Sequence, residues 1–389
     1  MTVITTTHAL EAFCREISSA PFVAVDTEFM RETTYWPKLC LIQAATPDLA
    51  AAIDPLAQDI DLSRFLDILR DARIEKVFHA ARQDIEIFHN LEAIPQPLFD
   101  TQIAGMAAGF GEQIAYDALV RQMLRLEIDK SSRFTDWSRR PLSAAQIDYA
   151  LADVIHLATL YPRLRAQLAE SGRLDWVGEE MAALTDPALY DTDPERAWRR
   201  LKPRRHTARY LAAFRAVAAW RERTAQQRDQ PRGRILKDEA IDELATQAPT
   251  DLEALSRLRA VPKGLPGSRF GAEIVEAIAK ALVDPEAYAP KIDRERAPSR
   301  PASGAVVELL KVLLKARAEE SGVASKLIAT VADLERIAAE GETSIPALEG
   351  WRRAAFGEDA LRLMRGELAL VLDGSRLRVV EVRRAPRAE

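Results

Sequence analysis

Two acidic residues on one predicted strand are the first sign of chemistry in this chain of 389 residues. Residues 22–29 (FVAVDTEF) show the alternation of period two that is typical of a β-strand. Because alternate side chains share a face, Asp26 and Glu28 point the same way from Cα atoms about 7 Å apart. Two acids on an apolar strand are costly to bury without cations, and their oxygen ligands suit Mg²⁺ or Mn²⁺. The alternative for either residue is exposure to solvent at the end of the strand.

A further carboxylate follows another predicted strand. Asp84 lies in the first turn of a predicted helix (residues 82–91) that comes directly after a predicted strand at residues 75–80. Asp100 ends a last short strand, predicted at residues 97–100. Both positions allow the side chain to face the same cleft as the acidic strand. We expect Asp84 to join the site and Asp100 to have a structural, supporting role.

A tyrosine and a carboxylate lie one helical turn apart later in the chain. Ser143 followed by Gln146 is a capping-box pattern, and it predicts a helix that runs to about residue 169. On this helix the i, i+4 spacing puts Tyr149 and Asp153 on one face. Such a pair alone usually marks an amphipathic boundary, but here it follows two other acidic motifs in one compact region. Two divalent ions about 3.5–4 Å apart, held by such acids, can clamp the attacking and leaving oxygens of a phosphodiester.

The elements that must position these residues form an α/β domain with a central sheet. Three β-like runs, at residues 22–29, 38–46 and 49–55, predict a meander. After Thr101 the periodicity is helical almost to the end of the chain, apart from a hairpin signal at Asp373-Gly374. The predicted units are an α/β domain at residues 1–170, a charged connector at 171–205, a first helical domain at 206–284, a linker at 285–303 and a second helical domain at 304–389.

The composition is that of a globular protein. With 48% apolar residues the chain can bury a core, and its length suggests two or three domains. No apolar run approaches the roughly 20 residues that span a bilayer, and the N-terminus lacks the pattern of a secretory signal. We therefore expect no membrane association and a cytoplasmic location. Cys14 and Cys40 have no zinc-like spacing, so both are expected to be buried.

The overall charge of −5 is unusual for a protein that binds nucleic acid, but one segment is strongly basic. Between Arg196 and Arg234 there are thirteen Lys and Arg residues against Glu222 and Asp229, a local net charge of +11. A phosphate backbone would be attracted to this segment with a salt-sensitive affinity. The alternative is a solvated helix face whose charges are balanced by acidic neighbours.

The three acidic motifs together resemble those of the DEDD exonucleases, in the subgroup whose third motif holds a tyrosine. They stand here as VDTEF (25–29), HAARQDIEIF (79–88) and YALAD (149–153). More narrowly, the chain is similar to the ribonuclease D family. Supporting stretches are residues 34–43, 95–104 and 130–153, while residues 207–284 and 305–365 resemble two copies of the HRDC domain, usually a nucleic-acid-binding module. The resemblance implies a ribonuclease H-like α/β exonuclease domain followed by two small all-α HRDC-like domains.

The resemblance also implies roles for individual residues. Asp26 would bridge two Mg²⁺ or Mn²⁺ ions, Glu28 and Asp153 would complete the more tightly held one, and Asp84 would hold the other mainly through water. Tyr149 would position the attacking water, since its ordinary pKa near 10 makes it a poor base. The implied activity is 3′→5′ hydrolysis of RNA that releases 5′-mononucleotides, with tRNA precursors as expected substrates and no obligate protein partner.

A polar loop before the tyrosine helix is the predicted substrate-binding region. It contains Lys130, Arg133, Trp137 and Arg140, for which helix capping and core packing are the alternatives. His79 is expected to have a structural role. Two other functions remain open for the chain as a whole: a DNA 3′→5′ exonuclease with the same site, and a non-catalytic RNA-binding protein. The second is disfavoured because all five motif positions are filled.

Overall fold

The computed structural model of the protein describes residues 2–133, 135–291 and 302–382. Most of the linker predicted at residues 285–303 and the last seven residues of the chain lie outside these ranges. Among the described residues, no helix has the combined length and apolarity needed to cross a membrane.

A six-stranded mixed sheet forms the centre of the N-terminal domain, in the order β1-β4-β3-β2-β5-β6. The predicted meander is confirmed, because β2 pairs antiparallel with β3 and β3 pairs antiparallel with β4. The other pairings are parallel, which makes the sheet mixed as predicted. The strands are β1 (Thr2–Ile4), β2 (Phe22–Met30), β3 (Lys38–Ala45), β4 (Ala50–Ile53), β5 (Glu75–Phe78) and β6 (Leu98–Asp100).

Helices cover both faces of this sheet. They are α1 (Thr7–Ile17), α2 (Ser63–Arg70), α3 (Arg82–Asn90), α4 (Thr101–Ala108), α5 (Tyr116–Leu124) and α6 (Ala144–Glu170). The capping box predicted at the start of α6 is confirmed: the Ser143 hydroxyl accepts from the Gln146 amide, and the Gln146 side chain accepts from the Ser143 amide. Because α6 packs across β2, β3 and β4, it brings its tyrosine and aspartate over the acidic strand.

The segment predicted as an irregular connector is a chain of short helices with a packing role. It contains 3₁₀ turns at Leu174–Val177, Pro187–Tyr190 and Pro194–Arg200, and α7 at Gly178–Leu184. Val177 and Met181 belong to a core that also holds residues of α4 and α6, while Tyr190 packs with α1 and α3. The connector is therefore fixed to the α/β domain, because its apolar residues are spaced to reach that domain's surface.

The first helical unit packs around one long helix. Its helices are α8 (Ala208–Arg228), α9 (Arg232–Ile235), α10 (Asp238–Gln247), α11 (Leu252–Ser256), α12 (Arg269–Ala281) and α13 (Pro285–Tyr288). Trp220 is 5% exposed in the core of this unit, as its position in a helical stripe predicts.

A buried carboxylate joins this helical unit to the α/β domain. Glu222 on α8 is 1% exposed and accepts both Nε and Nη2 of Arg232, each at 2.6 Å. The hydroxyl of Tyr35, from the loop between β2 and β3, also donates to Glu222. Asp229 accepts the backbone amides of Tyr35 at 2.9 Å and Trp36 at 3.0 Å. The first helical unit is thus tied to the loop that leaves the acidic strand.

Replacing Arg232 with alanine is expected to destabilise the protein by about 3 kcal/mol. The change removes two hydrogen bonds from the buried Glu222 carboxylate, so its negative charge is only partly balanced. Urea denaturation followed by circular dichroism measures this loss. The matched control is Arg257→Ala, since Arg257 pairs with Glu253 at a fully exposed site and should change stability by less than about 1 kcal/mol. Equal losses of unfolding free energy in the two variants would contradict a stabilising role for the hydrogen bonds around Glu222.

The second helical unit, predicted at residues 304–389, shares a hydrophobic core with the α/β domain. One hydrophobic core runs from α4, α5 and α6 into this unit, and includes Leu310 and Leu334. At the same interface the rings of Trp176 and Trp351 stack with centroids 4.4 Å apart. The elements are α14 (Gly304–Ser321), α15 (Ser325–Ile328), α16 (Val331–Glu340), a 3₁₀ turn (Pro346–Leu348), α17 (Gly350–Arg352), a π-helical turn (Arg353–Gly357), α18 (Glu358–Met364), β7 (Leu368–Asp373) and β8 (Arg376–Glu381).

The hairpin predicted around Asp373-Gly374 is confirmed, with β7 and β8 paired antiparallel. Gly374 takes a φ of +61°, which is the left-handed conformation that such a turn requires.

Candidate active site

A cleft of about 560 Å³ lies between the acidic strand β2, the turn before α3, helices α4 and α5, and the tyrosine-bearing face of α6. Asp26, Tyr149 and Asp153 line it directly. The other lining residues are His79, Ala80, Gln102, Gln113, Ala115, Tyr116, Asp117, Ile128, Lys130, Arg133 and Leu157.

Asp26 and Glu28 occupy the same face of β2, as the alternation predicted. A β-bulge follows at Glu28 and Phe29, where the pairing with β3 shifts register. Burial raises the pKa of Asp26 to about 6. Burial and the nearby charges of Asp26, Asp153 and Asp84 raise the pKa of Glu28 to about 9. Glu28 therefore senses the charges of the other three acids of the motifs, which indicates that the fold brings them close together.

Asp84 is delivered by the first turn of α3, where it is 6% exposed. Its carboxylate accepts the hydroxyl of Thr27, the residue between the two acids of β2. Burial and then the charge of Asp26 raise the pKa of Asp84 well above its ordinary value. Asp100 does not reach the cleft: it accepts the backbone amides of Ala80 at 3.0 Å and Ala81 at 2.8 Å, just before α3. Asp100 thus has the structural role expected for it, which is to hold the turn that positions Asp84.

Tyr149 and Asp153 lie one turn apart on α6 and contact each other. The Asp153 carboxylate raises the pKa of the Tyr149 phenol, and the phenol in turn lowers the pKa of Asp153. Burial, followed by the charge of Asp26, raises the pKa of Asp153 to about 8. Burial and the surrounding carboxylates raise the pKa of Tyr149 far above 10, so the phenol stays protonated at neutral pH. Tyr149 can donate or orient, but it cannot serve as a base.

The four carboxyls fit the donor set of a divalent cation site. All four offer oxygen ligands, which divalent cations such as Mg²⁺ prefer. The charge of Arg133 lowers the pKa values of Glu28 and Asp153, but burial and the neighbouring acids raise them by more. Within residues 2–133, 135–291 and 302–382, no group of three or more acidic, histidine or cysteine side chains has the geometry of a formed metal site.

Comparisons with known proteins agree over almost the whole chain. Residues 1–169 match the family model of a 3′-5′ exonuclease, and residues 211–278 match that of the HRDC domain. A ribonuclease D of Granulibacter bethesdensis is 50% identical over 380 residues, which are 97% of this chain and 96% of that protein. A ribonuclease D of Nitrobacter hamburgensis is 51% identical over 382 residues, covering 98% of this chain and 100% of that protein. The chain belongs to the ribonuclease D family.

The fold agrees with this assignment. Escherichia coli RNase D, described as an exoribonuclease involved in structured RNA processing, superposes with a TM-score of 0.77 at 28% identity, covering 94% of this chain and 98% of that chain. The protein is therefore a 3′-5′ exoribonuclease with RNA as its substrate. Exonucleases of this family depend on divalent metal ions, in agreement with the carboxylate site.

Of the four predicted substrate-binding residues, the fold of this ribonuclease D family member brings two to the cleft. Lys130 and Arg133 line it, and the ammonium group of Lys130 lies 2.7 Å from Asp117. Trp137 is instead 3% exposed and packs beneath Tyr149, with ring centroids 6.1 Å apart. Its predicted stacking on a base is therefore corrected to core packing under the tyrosine.

Arg140 also has a structural role rather than the predicted contact with substrate. Its Nε and Nη2 bind both oxygens of Asp54 at 2.6 and 2.7 Å, and Nη2 also donates to the Cys40 carbonyl at 2.6 Å. These bonds tie the loop before α6 to β3 and the end of β4. The guanidinium is therefore already engaged in holding α6 against the sheet.

One wall of the cleft was missed by sequence reasoning. Tyr116 donates its hydroxyl to the backbone carbonyl of Asp153, and the two ring nitrogens of His79 contact Thr101 Oγ1 at 3.0 Å and the Ile114 carbonyl at 3.1 Å. Gln113 stands in this wall with a φ of +49°. His79 has the structural role expected for it. No motif connects these residues, since α4 and α5 bring them together only in the folded chain.

The basic segment is largely neutralised within the fold. Seven of its thirteen basic residues form ion pairs: Arg196, Arg200, Arg204, Arg215, Arg221, Arg223 and Arg232. Their partners include Glu195 and Asp242, which lie outside residues 196–234. The predicted attraction for RNA therefore rests on fewer charges than the sequence count of +11 implies.

Proposed function

We propose that this cytoplasmic exoribonuclease removes 5′-mononucleotides one at a time from the 3′ end of RNA with the help of two divalent ions, Mg²⁺ or Mn²⁺. The observation that carries the proposal is the group of four neighbouring acids on β2, α3 and α6, all with raised pKa values, of which Asp26 and Asp153 line the cleft. Bound ions would neutralise these charges, activate a water and stabilise the leaving oxygen.

The protein groups have separate tasks in this proposal. Asp26, central among the acids, would contact both ions, Glu28 and Asp153 would complete one site, and Asp84 would hold the second ion mainly through water. Thr27 keeps the Asp84 carboxylate oriented by its hydrogen bond. Arg133 and Lys130 line the cleft and supply positive charge near the acids, where an RNA phosphate would lie.

Tyr149 would orient the attacking water. Its protonated phenol lines the cleft together with Asp153, a proposed metal ligand, so the hydroxyl could orient a water there. The tyrosine would not remove the proton, because burial and the surrounding acids keep its pKa too high.

Structured RNA such as tRNA precursors is the proposed substrate class. The support is the likeness to Escherichia coli RNase D, which is described as acting in structured RNA processing. The HRDC match at residues 211–278 adds a second nucleic-acid-binding unit beside the exonuclease domain. We propose no obligate protein partner.

The test is a 5′-labelled single-stranded RNA and a DNA of the same sequence, incubated with Mg²⁺, Mn²⁺ or EDTA and resolved on a sequencing gel. We expect a one-nucleotide ladder that shortens from the 3′ end of RNA with either metal, and none with EDTA or with Asp26→Asn. Faster degradation of the DNA would favour a DNA exonuclease. Intact RNA with folded protein and both metals would overturn the proposed function.

Tyr149→Phe is expected to lower kcat by about 10²-fold while changing KM for RNA by less than about threefold. The phenol acts on a water during the reaction, whereas the aromatic ring that packs over Trp137 is retained. Steady-state kinetics on a short RNA measures both constants. Tyr116→Phe serves as the comparison, since that hydroxyl donates to a backbone carbonyl and not to a carboxylate of the site. Equal losses of kcat in the two variants would count against the proposed role of Tyr149.

A further inference from the structure

A glutamine beneath the active site is buried without hydrogen-bond partners. Gln43 on β3 is 0% exposed, and among the described residues neither its side-chain nitrogen nor its side-chain oxygen has a partner. A buried polar group without a partner costs about 1–3 kcal/mol. For folding alone, a methionine or leucine of similar volume would serve better at this position.

The strand register places Gln43 against the central acid of the site. Gln43 is directly opposite Asp26 in the antiparallel pair of β3 with β2. Directly opposed residues share one face, with Cβ atoms about 4.5–5.5 Å apart, which is within reach of a glutamine amide. A carboxylate offers about four acceptor sites on its two oxygens, so the Asp26 side chain can accept a hydrogen bond from the Gln43 amide.

The other neighbours of Gln43 on this face are apolar. Leu41, two residues earlier on β3, stands opposite Glu28, and Ala52 on β4 stands opposite Gln43 itself. Above the sheet, α6 covers the same face with Ala150 and Leu151, both essentially buried. Asp26 is the ionisable residue that the register sets directly opposite the glutamine.

We propose that Gln43 is a positioning residue for Asp26: its side-chain amide, which is unpaired among the described residues, donates to one Asp26 carboxylate oxygen when metal ions are bound and so holds the other oxygen toward them. The inference rests on the proposed function, because it assigns Gln43 to the same metal site. Groups that orient a metal ligand through a hydrogen bond commonly contribute 10- to 100-fold in metal affinity or activity. The amide is neutral, so it can fix the ligand without cancelling the charge that binds the cation.

The proposal predicts opposite effects on metal binding and on stability. Gln43→Met removes both amide atoms and keeps the volume and flexibility of the side chain. We expect the affinity for Mn²⁺, measured without RNA by electron paramagnetic resonance of free Mn²⁺, to fall about 10- to 100-fold. In metal-free buffer Tm should be equal to that of the native protein or higher, since an unpaired buried amide is gone. Saturating Mn²⁺ should restore kcat to within about threefold of the native value.

Two further variants complete the experiment. Gln43→Leu repeats the removal of the amide with a different shape, and Gln247→Met makes the same substitution at an exposed position on α10, where Mn²⁺ affinity should not change. Native Mn²⁺ affinity in Gln43→Met would overturn the proposal. A Tm lowered by several degrees in both the Met and the Leu variants, without metal, would also overturn it by showing a structural role.

The outcome for Gln43 can be separated from the outcome for the proposed function. If the native protein gives a metal-dependent RNA ladder and Gln43→Met binds Mn²⁺ normally, the positioning role alone fails. If the native protein binds Mn²⁺ but leaves RNA intact, the proposed reaction fails, while the effect of Gln43 on Mn²⁺ affinity still decides the inference.

Discussion

Replacing Asp153 with asparagine is expected to lower kcat/KM on RNA by about 10³-fold. Loss of one charged ligand at a two-metal site removes several kcal/mol of transition-state stabilisation, and about 4 kcal/mol corresponds to this factor. Asparagine keeps the size of the side chain and one acceptor oxygen but removes the charge of the ligand. The rate is measured with a short 5′-labelled RNA at saturating Mn²⁺.

The same substitution should not unfold the protein. Burial raises the pKa of Asp153 to about 8, so the ionised carboxylate opposes folding when no metal is bound. At pH 8.5 the metal-free Asp153→Asn variant is therefore expected to have a Tm equal to or above that of the native protein. The matched control is Asp148→Asn, which changes an exposed acid on the same helix and should leave both activity and Tm unchanged. A fall in the Tm of Asp153→Asn without a fall in its activity would contradict the role of Asp153 as a metal ligand and indicate a structural role.

Divalent metal is expected to raise Tm by roughly 3 °C at a concentration one hundred times its Kd, because binding to the folded state alone stabilises by about 2.7 kcal/mol. The shift should be larger at pH 8.5 than at pH 6, since cations bind ionised carboxylates and release their protons. Differential scanning calorimetry with Mg²⁺, Mn²⁺ or EDTA at the two pH values measures it. Asp26→Asn should lose most of the shift.

The sign of the pH effect without metal follows from the raised pKa values. Asp153, with a pKa near 8, and Glu28, with a pKa near 9, hold more protons in the folded state than in the unfolded chain. Stability contributed by the protonated carboxyls is thus lost as pH rises from their unfolded values toward 8 and 9. In EDTA we expect Tm to fall over this range, and in Mn²⁺ the fall should be smaller. A metal-induced shift that is independent of pH would contradict carboxylate ligation.

Local sequence patterns predicted the elements that carry the site. The alternation in residues 22–29 and the capping box at Ser143 are short-range signals, because the direction of a side chain depends on the next few residues. They were enough to place Asp26 and Glu28 on one face of β2, and Tyr149 and Asp153 on one face of α6. The first strand, Thr2–Ile4, was missed, since three residues show no periodicity and its pairing partner Ala51 lies far along the chain.

Side chains in loops were harder to predict. Trp137 has polar neighbours in sequence, yet the meeting of α6 with β3 buries it. Arg140 looked available to substrate, but Asp54, which is 86 residues earlier, already binds its guanidinium. The charge available in the basic segment was overestimated from sequence for the same reason, because the acidic partners of Arg204 and Arg223 lie outside that segment. Composition counts charges, whereas only the packed structure pairs them.

The sequence by itself determined the kind of chemistry: five residues of suitable type, at spacings that local helix and strand geometry converts into faces. The tertiary structure alone decided how these faces meet, which raises the pKa values of Asp26, Glu28 and Asp153. It also decided that Gln43 stands opposite Asp26 without a partner, and that the second helical unit shares the core of the exonuclease domain. The physical reason is that periodicity is a local property, whereas burial and pairing depend on contacts between segments far apart in sequence.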